Sequence, residues 1–535
     1  MTDLTERILG APRRAHLAAI AALSLLLYAG TLRGTFDFDT PELLLYNQAV
    51  HGLTVANLVA VTTSMPNTVE YLPVRDVTWM IDWELFGMSA WGYHLSNALY
   101  YALCCVLCYL FVEAAARRFT PASRGVALLA TLLFVAHPVH VESVAGVAQR
   151  KDIVSGLFLF LCLWAFLQWR ESRRAGWYAA ALIALPLALL SKATAVVAPA
   201  LLFLLVLPEL RRDRRVLLEL APFAGITGAI AFVTMRLAAG SGILYTAERP
   251  VLPVALTFAK VAFHYLRMLL LGGPLTIVHD LEPVQSAADP VGLAALAGLL
   301  ALAGALAAAA RRWPLIALGG AFFLVAIVPV AGLLPAPNLA ADRYLFIPAL
   351  GVTLAAASAL VELARTRWRA AVVPATAALL VLAGGRTVAR AEDWRTNERL
   401  LVADLRANPS SLRLTTSLAR YYYVNGRVDL AFEYFERARV LQPSNPEPDL
   451  FVALRLLQLG DRRGALAALD RIPDGGSIVD VQCLYGMVHE AEGRPGEAAA
   501  AYRRALAAER IMGVLFKRNA QEGLARVARG SGAGR

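Results

Sequence analysis

Cysteine and charge are both scarce in this chain. It has 5 cysteines among 535 residues, and only 17% of its residues are charged. The cysteines lie mostly in apolar runs, and they lack the spacing of a disulfide framework or of a metal-binding module. We therefore interpret them as small core residues, and we exclude a disulfide-stapled domain.

Apolar residues make up most of what is present. The sequence is 58% hydrophobic, and repeated apolar runs approach the ~20 helical residues that cross the hydrocarbon core of a bilayer. This pattern predicts an all-α, polytopic membrane protein. The net charge of +11 lies largely in short arginine-rich hinges between these runs. It therefore indicates membrane orientation rather than binding to nucleic acid.

The hinges predict 11 membrane spans, with a cytoplasmic N-terminus and an exoplasmic C-terminus. No clear small-x-small site follows the first run, so we predict an uncleaved first span, followed by a long outer loop over residues 33–92. Residues 258–271 carry Lys260, His264 and Arg267 on one helical face, which predicts an amphipathic helix lying in the interface. The predicted spans lie near residues 17–32, 93–115, 124–140, 153–169, 176–190, 195–210, 216–236, 291–310, 314–332, 343–364 and 370–387.

The C-terminal third has a different composition and contains an internal repeat. The dipeptides Asn425-Gly426, Gly460-Asp461 and Gly493-Arg494 recur at intervals of 34 and 33 residues, and an alanine follows each at a fixed offset. This is the tetratricopeptide (TPR) pattern of paired helices. We predict a membrane domain over 1–390 and a TPR α-solenoid over 391–530. The solenoid either binds a protein partner or acts only as a stacking element.

Ionisable side chains cluster at helix ends on the predicted outer side. The clusters occupy residues 36–39, 137–142, 150–152, 191–192 and 342–344. Ionisable groups beside hydrocarbon are costly unless they are paired or face a wet cavity. Their convergence on one side predicts a polar site at the membrane surface, although single members could instead snorkel.

Chemistry on the outer side would have no access to nucleotide-activated donors, so a lipid-linked donor is the natural substitute. Sugar transfer from a lipid phosphate needs a carboxylate base, cations for the phosphate and an apolar groove. Asp37 and Asp39 are the candidate bases after the first span. The phosphate candidates, which together exceed what simple pairing of Asp152 and Asp342 requires, are Arg75, Arg150, Lys151, Lys192 and Arg343. Lys260, His264 and Arg267 form a weaker second group.

A third set of candidates lies at the end of the third predicted span. His137, His140 and Glu142 could hold a metal ion, but their spacing places them on no single helical face. Hydrogen bonding to sugar or phosphate is the preferred interpretation, and a purely structural role at the membrane interface is the alternative. No cofactor is required, and a divalent metal ion is left open.

Longer motifs resemble one family. The strings Phe-Val-Ala-His-Pro-Val-His-Val-Glu-Ser-Val (134–144) and Gln-Arg-Lys-Asp (149–152) are similar to the signature of the transmembrane-and-tetratricopeptide (TMTC) family. Three further strings are also similar to this signature: Leu-Ser-Lys (190–192), Asp-Arg-Tyr-Leu-Phe-Ile-Pro (342–348) and Tyr-His-Leu-Ser-Asn (93–97). They add Tyr344 and His94 to the candidate site residues. The resemblance implies a GT-C-type glycosyltransferase that uses a polyprenyl-phosphate sugar, related to protein O-mannosyltransferases.

The first loop departs from the family pattern. Asp39 aligns with the first of two usual acids, and Thr40 replaces the second, so that Asp37 or Glu42 could supply the missing carboxylate. The family also tends to have arginine before the proline of this loop, whereas here Leu72 precedes Pro73 and Arg75 follows.

The sequence as a whole predicts a glycosyltransferase that moves a mannose-like sugar, by inverting single displacement, from a polyprenyl phosphate to a protein hydroxyl at the outer face. Composition suggests a bacterial inner membrane with the TPR domain in the periplasm. Asp39 and Glu142 are the catalytic candidates. The substrate-binding candidates are Asp37, Arg75, His94, His137, His140, Arg150, Lys151, Asp152, Lys192, Asp342, Arg343 and Tyr344. The alternatives are a non-enzymatic scaffold, a surface-polysaccharide ligase or polymerase, and a lipid-sugar transporter. Few charges lie deep in the spans, which disfavours the transporter.

Overall fold

The protein is helical throughout the part that can be described. The computed structural model describes residues 11–36, 39–66, 70–210, 213–240, 250–333, 338–508, 510 and 517–532. Within these ranges there is no β-strand, and one isolated bridge joins Ile478 and Arg510. The predicted all-α class is confirmed. The chain divides into two compact units, Met1–Ala407 and Asn408–Arg535.

The first unit contains sixteen described α-helices. Several begin with proline at the first helical position, where the missing N–H costs nothing, as at Pro73, Pro290, Pro314 and Pro348. The helices are α1 (Arg13–Tyr28), α2 (Val55–Thr63), α3 (Pro73–Phe86), α4 (Ala90–Arg117), α5 (Ser123–Ala136), α6 (Val141–Ala145), α7 (Arg150–Ser172), α8 (Ala175–Leu189), α9 (Ala198–Leu210), α10 (Val216–Gly240), α11 (Val251–Leu271), α12 (Pro290–Ala309), α13 (Pro314–Ala326), α14 (Pro348–Leu363), α15 (Arg369–Asp393) and α16 (Asn397–Ala407).

The helix lengths and compositions identify a multi-pass membrane protein. Within the described ranges, 8 helices are long and apolar enough to span a membrane, and a bent pair formed by α5 and the 138–145 segment makes up to 9. Three of the predicted spans, near 176–190, 314–332 and 343–364, correspond to shorter apolar helices. The helix predicted to lie in the interface is part of α11, which has the length and hydropathy of a span. The exact number of spans stays a prediction.

Helices α4 and α7 form the centre of the membrane unit. In each, 72% of the most apolar 18-residue stretch is buried inside the protein, more than in any other described candidate span. Cys104, Cys105, Cys108 and Cys162 lie on these two helices and are fully buried. The two helices meet at their starts, where Arg150 in the first turn of α7 bonds to Asn97 and to the Tyr93 carbonyl of α4.

The second unit is built from helical hairpins. Gly426, Gly460 and Gly493 stand at the turns with φ of 77°, 83° and 74°, a left-handed conformation that ends a helix cheaply only at glycine. The helices are α17 (Leu412–Val424), α18 (Val428–Leu441), α19 (Glu447–Gln458), α20 (Arg462–Leu469), α21 (Val479–Ala491), α22 (Pro495–Ala507) and α23 (Lys517–Gly532). The predicted domain boundary at residue 390 falls inside α15, whereas the first compact unit ends at Ala407.

Candidate functional site

Charged side chains from four parts of the first unit form one connected group. Lys151 at the start of α7 lies 2.5 Å from Glu70, which also accepts a hydrogen bond from Arg75 at 2.8 Å. Asp152, the next residue, pairs with Lys192, and Glu142 pairs with Arg343. The ring of Tyr344 lies under both Lys192 and Arg343, at 5.5 Å and 5.1 Å. We call this group the charged cluster: Glu70, Arg75, Asp76, Glu142, Lys151, Asp152, Lys192, Arg343 and Tyr344.

The prediction that cations outnumber their partners here is wrong. Each of the five main phosphate candidates has a carboxylate within ion-pair distance, including Arg75 with Asp76 and Arg150 with Asp82. Arg75 and Arg150 are completely buried, whereas the side chains of Lys151, Lys192 and Arg343 are 10–14% exposed. Only these three cations have atoms that reach the surface of the cluster.

Glu70 is a member of the cluster that sequence reasoning missed. Burial alone would raise the pKa of this carboxyl group, but Lys151, Arg75 and Lys192 together lower it to about 2. The residue lies in the first loop, three positions before Pro73, where nothing in the sequence marks it as paired.

Glu70→Gln is expected to remove an acid-sensitive part of the stability. A carboxyl group whose pKa is lower in the folded than in the unfolded protein stabilises the fold above its unfolded pKa, about 4.5 for glutamate, and loses that contribution as the pH falls toward 2. Melting temperatures in detergent should therefore fall more steeply between pH 4.5 and pH 2 in the wild type than in the variant. Parallel profiles would contradict the assignment.

Arg150 is held in a fully enclosed position on α7. Its guanidinium lies 2.5 Å from Asp82 of α3, and it donates to Asn97 Oδ1 at 2.6 Å and to the Tyr93 carbonyl at 2.9 Å. Thr78 of α3 accepts a further, longer hydrogen bond. Arg150 thus ties α3 and α4 to the start of α7.

Asp39 lies beside the start of α7. Gln149 donates from Nε2 to Asp39 Oδ2 at 3.2 Å, and Gln149 immediately precedes Arg150 and Lys151. Asp39 is exposed while Gln149 is buried. The structure therefore brings the predicted base to the edge of the charged cluster. Asp37, the other candidate acid of this loop, lies outside the described residues.

The predicted histidines contact the protein rather than open space. His94 bonds through Nε2 to the Thr35 carbonyl at 3.2 Å, and His137 bonds through Nε2 to the Leu269 carbonyl at 3.1 Å. His140 is fully buried against Phe134 and Phe346, with ring centroids 4.2 Å and 5.0 Å away. The His94 contact holds the first loop against α4, and the His137 contact joins the end of α5 to the end of α11.

Asp342 belongs to a neighbouring polar network that includes His279, which sequence reasoning also missed. His279 Nε2 lies 2.7 Å from Asp342 Oδ1, and its Nδ1 lies 3.3 Å from His264 Nε2. Burial raises the pKa of Asp342. In the described parts of the chain, no three His, Cys, Asp or Glu side chains are grouped to hold a metal ion. Metal dependence therefore stays an untested prediction.

An apolar groove is lined by residues that neighbour the charged cluster in the sequence, such as Tyr71 after Glu70 and Val74 before Arg75. It has a volume of about 870 Å³ and runs along α4, α7 and the end of α8. Its α7 wall, formed by Val154, Leu157 and Leu161, follows directly after Lys151 and Asp152, and its α3 wall includes the residues on either side of Arg75 and Asp76. The full lining is Thr62, Tyr71, Pro73, Val74, Val77, Thr78, Tyr100, Leu103, Leu107, Val154, Leu157, Phe158, Leu161, Leu187 and Leu190. A long apolar chain in this groove would bring a polar end group to the cluster.

Comparison with known proteins confirms the resemblance found in the motifs. Residues 76–238 match the family described as Dolichyl-phosphate-mannose-protein mannosyltransferase. The chain is 30% identical over 160 residues to the protein O-mannosyl-transferase tmtc2 of Xenopus laevis, and 31% identical over 191 residues to Tmtc1 of Drosophila melanogaster. These matches cover 29% and 34% of this chain but only 18% and 22% of the relatives. The matched part is therefore about a fifth of the length of those relatives.

A solved structure also aligns with most of the chain. The crystal structure of ArnT from Cupriavidus metallidurans bound to undecaprenyl phosphate covers 95% of this chain and 87% of its own, with 15% sequence identity and a TM-score of 0.41. A likeness at this level carries no conclusion about activity.

Proposed function

We propose that the protein is a membrane glycosyltransferase that moves a mannose-like sugar from a polyprenyl phosphate to a hydroxyl group of a protein. The observation that carries the proposal is the charged cluster beside an apolar groove whose lining includes the immediate neighbours of Glu70, Arg75 and Asp76. A lipid chain would occupy the groove, and its phosphate would meet Lys151, Lys192 and Arg343. The names of the similar proteins supply the reaction class, and the matched region includes the groove walls on α4, α7 and α8.

In the proposed reaction, Asp39 accepts the proton of the acceptor hydroxyl. The hydroxyl oxygen then forms a bond to the anomeric carbon, and the bond from that carbon to the phosphate oxygen breaks, with its electron pair leaving on the phosphate. A single displacement inverts the anomeric centre and needs one base. Gln149 orients Asp39, and nearby cations stabilise the charge that develops on the leaving phosphate.

The ion pairs of the cluster define how a phosphate would bind. Lys151, Lys192 and Arg343 are each partly exposed and already face a carboxylate. A bound phosphate would share these cations with Glu70, Asp152 and Glu142. Because the cations are already desolvated in the folded protein, binding of the donor would not add the free-energy cost of desolvating them. We assign Arg75 and Arg150, which are completely buried, to holding this arrangement in place rather than to contact with the donor.

The proposed setting is a bacterial inner membrane with the site on the outer face and the N-terminus in the cytoplasm. The arginine-rich hinges support this orientation. The membrane unit would have the GT-C-type fold. The helical hairpins of the second unit would form a TPR array that presents the protein acceptor.

The direct test uses purified, full-length protein in lipid with radiolabelled polyprenyl-phosphate mannose and a periplasmic extract. Label is expected in protein. Label in polysaccharide instead would indicate a ligase or polymerase, and no label with any of a panel of sugars would indicate a scaffold.

Leu103→Trp is expected to raise the KM for the polyprenyl donor severalfold, because Leu103 lines the groove and an indole would fill part of it. Leu99→Trp is the matched control. Leu99 lies one turn earlier on α4, is equally exposed (51% against 50%), and is not part of the lining. Equal effects of the two variants on KM would remove the groove from the proposal.

A further inference from the structure

The turn between α15 and α16, residues 394–396, lies against the segments that precede the proposed base and its hydrogen-bond partner. Trp394 stands in this turn, yet its side chain is only 5% exposed. A buried indole brings a large apolar contact area. The turn is therefore packed firmly against the rest of the first unit.

The Trp394 ring contacts the backbone that leads to Gln149. At Gly146, a Cβ atom would lie 3.2 Å from Trp394 Cζ3 and 3.1 Å from Gln149 Cγ. It would also lie 2.7 Å from the Glu142 carbonyl oxygen, so that only glycine permits this close approach. The Gly146 carbonyl accepts the Gln149 amide at 3.1 Å. The indole thus supports the backbone turn from which Gln149 donates to Asp39 at 3.2 Å.

The next residue of the turn holds the first loop. The Arg395 carbonyl accepts the Thr35 amide at 3.1 Å and the Thr35 hydroxyl at 3.3 Å. His94 of α4 bonds to the Thr35 carbonyl at 3.2 Å, so this residue is held from two sides. Thr35 stands four positions before Asp39. Two adjacent residues of one turn therefore contact the segments that carry both partners of the Asp39–Gln149 hydrogen bond.

We propose that the 394–396 turn positions the base, with the Trp394 ring and the Arg395 carbonyl setting where Asp39 stands relative to the acceptor hydroxyl. This inference rests on the proposed function, in which Asp39 accepts the proton. A general base works only within hydrogen-bond reach of that proton, and a displacement of about 1 Å can lower the rate about 10²-fold. Trp394 and Arg395 act through Asp39 and are positioning residues.

The test is a double-mutant cycle with the full-length protein and the labelled donor. Trp394→Leu removes the flat ring and is expected to lower kcat about tenfold to a hundredfold. The KM for the donor should stay near that of the wild type, because Trp394 is not part of the groove lining. Trp394→Phe keeps a flat ring beside Gly146 and should restore most of the activity.

The Asp39→Asn background shows whether the effect passes through the base. Trp394→Leu should cost less than about twofold there, because no carboxylate remains to be misplaced. Equal fold losses of kcat in the two backgrounds would overturn the inference.

A second tryptophan separates positioning from a general loss of stability. Trp164 of α7 packs edge-on against Trp177, with ring centroids 5.1 Å apart. Trp164→Leu should lower the melting temperature and leave kcat unchanged; an equal loss of kcat in this variant would contradict the proposal. If Trp394→Leu does not fold, Thr35→Val tests the same turn from an exposed residue. It removes the hydroxyl bond to Arg395, and a kcat equal to that of the wild type would then count against positioning.

Hydrogen–deuterium exchange distinguishes failure of this inference from failure of the proposed function. The Thr35 and Gln149 amides are both hydrogen-bonded, so the peptides that carry them should exchange faster in Trp394→Leu than in the wild type, and should not in Trp164→Leu. If these rates change but the wild type transfers no sugar, the proposed function fails and the turn still holds the two segments. Unchanged exchange in Trp394→Leu would overturn the inference whatever the activity.

Discussion

Asp39→Asn is expected to lower the rate of sugar transfer by about 10²–10⁴-fold while the protein stays folded. Asp39 is exposed, and its carboxylate accepts a hydrogen bond from Gln149 at 3.2 Å. Asparagine has the same shape and can accept that bond through its own oxygen. The variant therefore keeps the local structure and loses only the ability to take a proton. The measurement is kcat with the labelled polyprenyl donor, together with the melting temperature of both proteins.

The other acids of the first loop decide whether Asp39 is the base. Glu42 lies in the first turn of the helical segment Pro41–Leu45, and Thr40 beside it is fully buried. Asp37→Asn and Glu42→Gln, assayed in parallel, should each retain most of the activity if one base suffices. Loss of activity in either of these variants with retention in Asp39→Asn would transfer the role to that residue.

Arg150→Met is expected to destabilise the fold by about 3–5 kcal/mol, because it leaves Asp82 as a buried charge without its partner. Arg150 also holds Asn97 and the Tyr93 carbonyl, so the loss reaches α3 and α4. The measurement is thermal unfolding in detergent. If Arg150 instead served mainly to bind the donor phosphate, the melting temperature would stay near that of the wild type and the KM would rise.

Two comparisons make this prediction specific. Arg150→Met combined with Asp82→Asn removes both charges, keeps an acceptor for Ser96, and should recover much of the lost stability. Lys151→Met changes the next residue, whose side chain is partly exposed. It should affect the KM for the donor more than the melting temperature. The two neighbours on α7 are thus expected to separate folding from substrate binding.

The helical architecture could be predicted from the sequence because it depends on local pattern. Apolar runs, prolines at helix starts and glycines at turns each act over a few residues. The helix over 251–271 shows the limit of this reasoning. Its three basic side chains predicted an interfacial helix, yet the apolar residues before them extend it to the length of a span.

The pairing of the charged side chains could not be predicted, because it depends on packing between distant segments. Lys192 meets Asp152 from 40 residues away, and Arg343 meets Glu142 across 201 residues. The motifs contain most residues of the charged cluster, and the side of the membrane on which the cluster lies stays a prediction. They did not reveal Glu70 or His279, because single polar residues in loops carry no periodic signal. The catalytic and substrate-binding roles of the candidate residues stay predictions.

The burial of the cysteines has a practical consequence for establishing which way the protein faces. All five are fully enclosed, so thiol reagents that cannot cross a membrane should find nothing to label in the wild-type chain. A single new cysteine at an exposed hinge such as Arg312, or at Gly426 in the second unit, would then report its own side of the membrane. The unmodified protein already serves as the silent background for mapping its topology in whole cells.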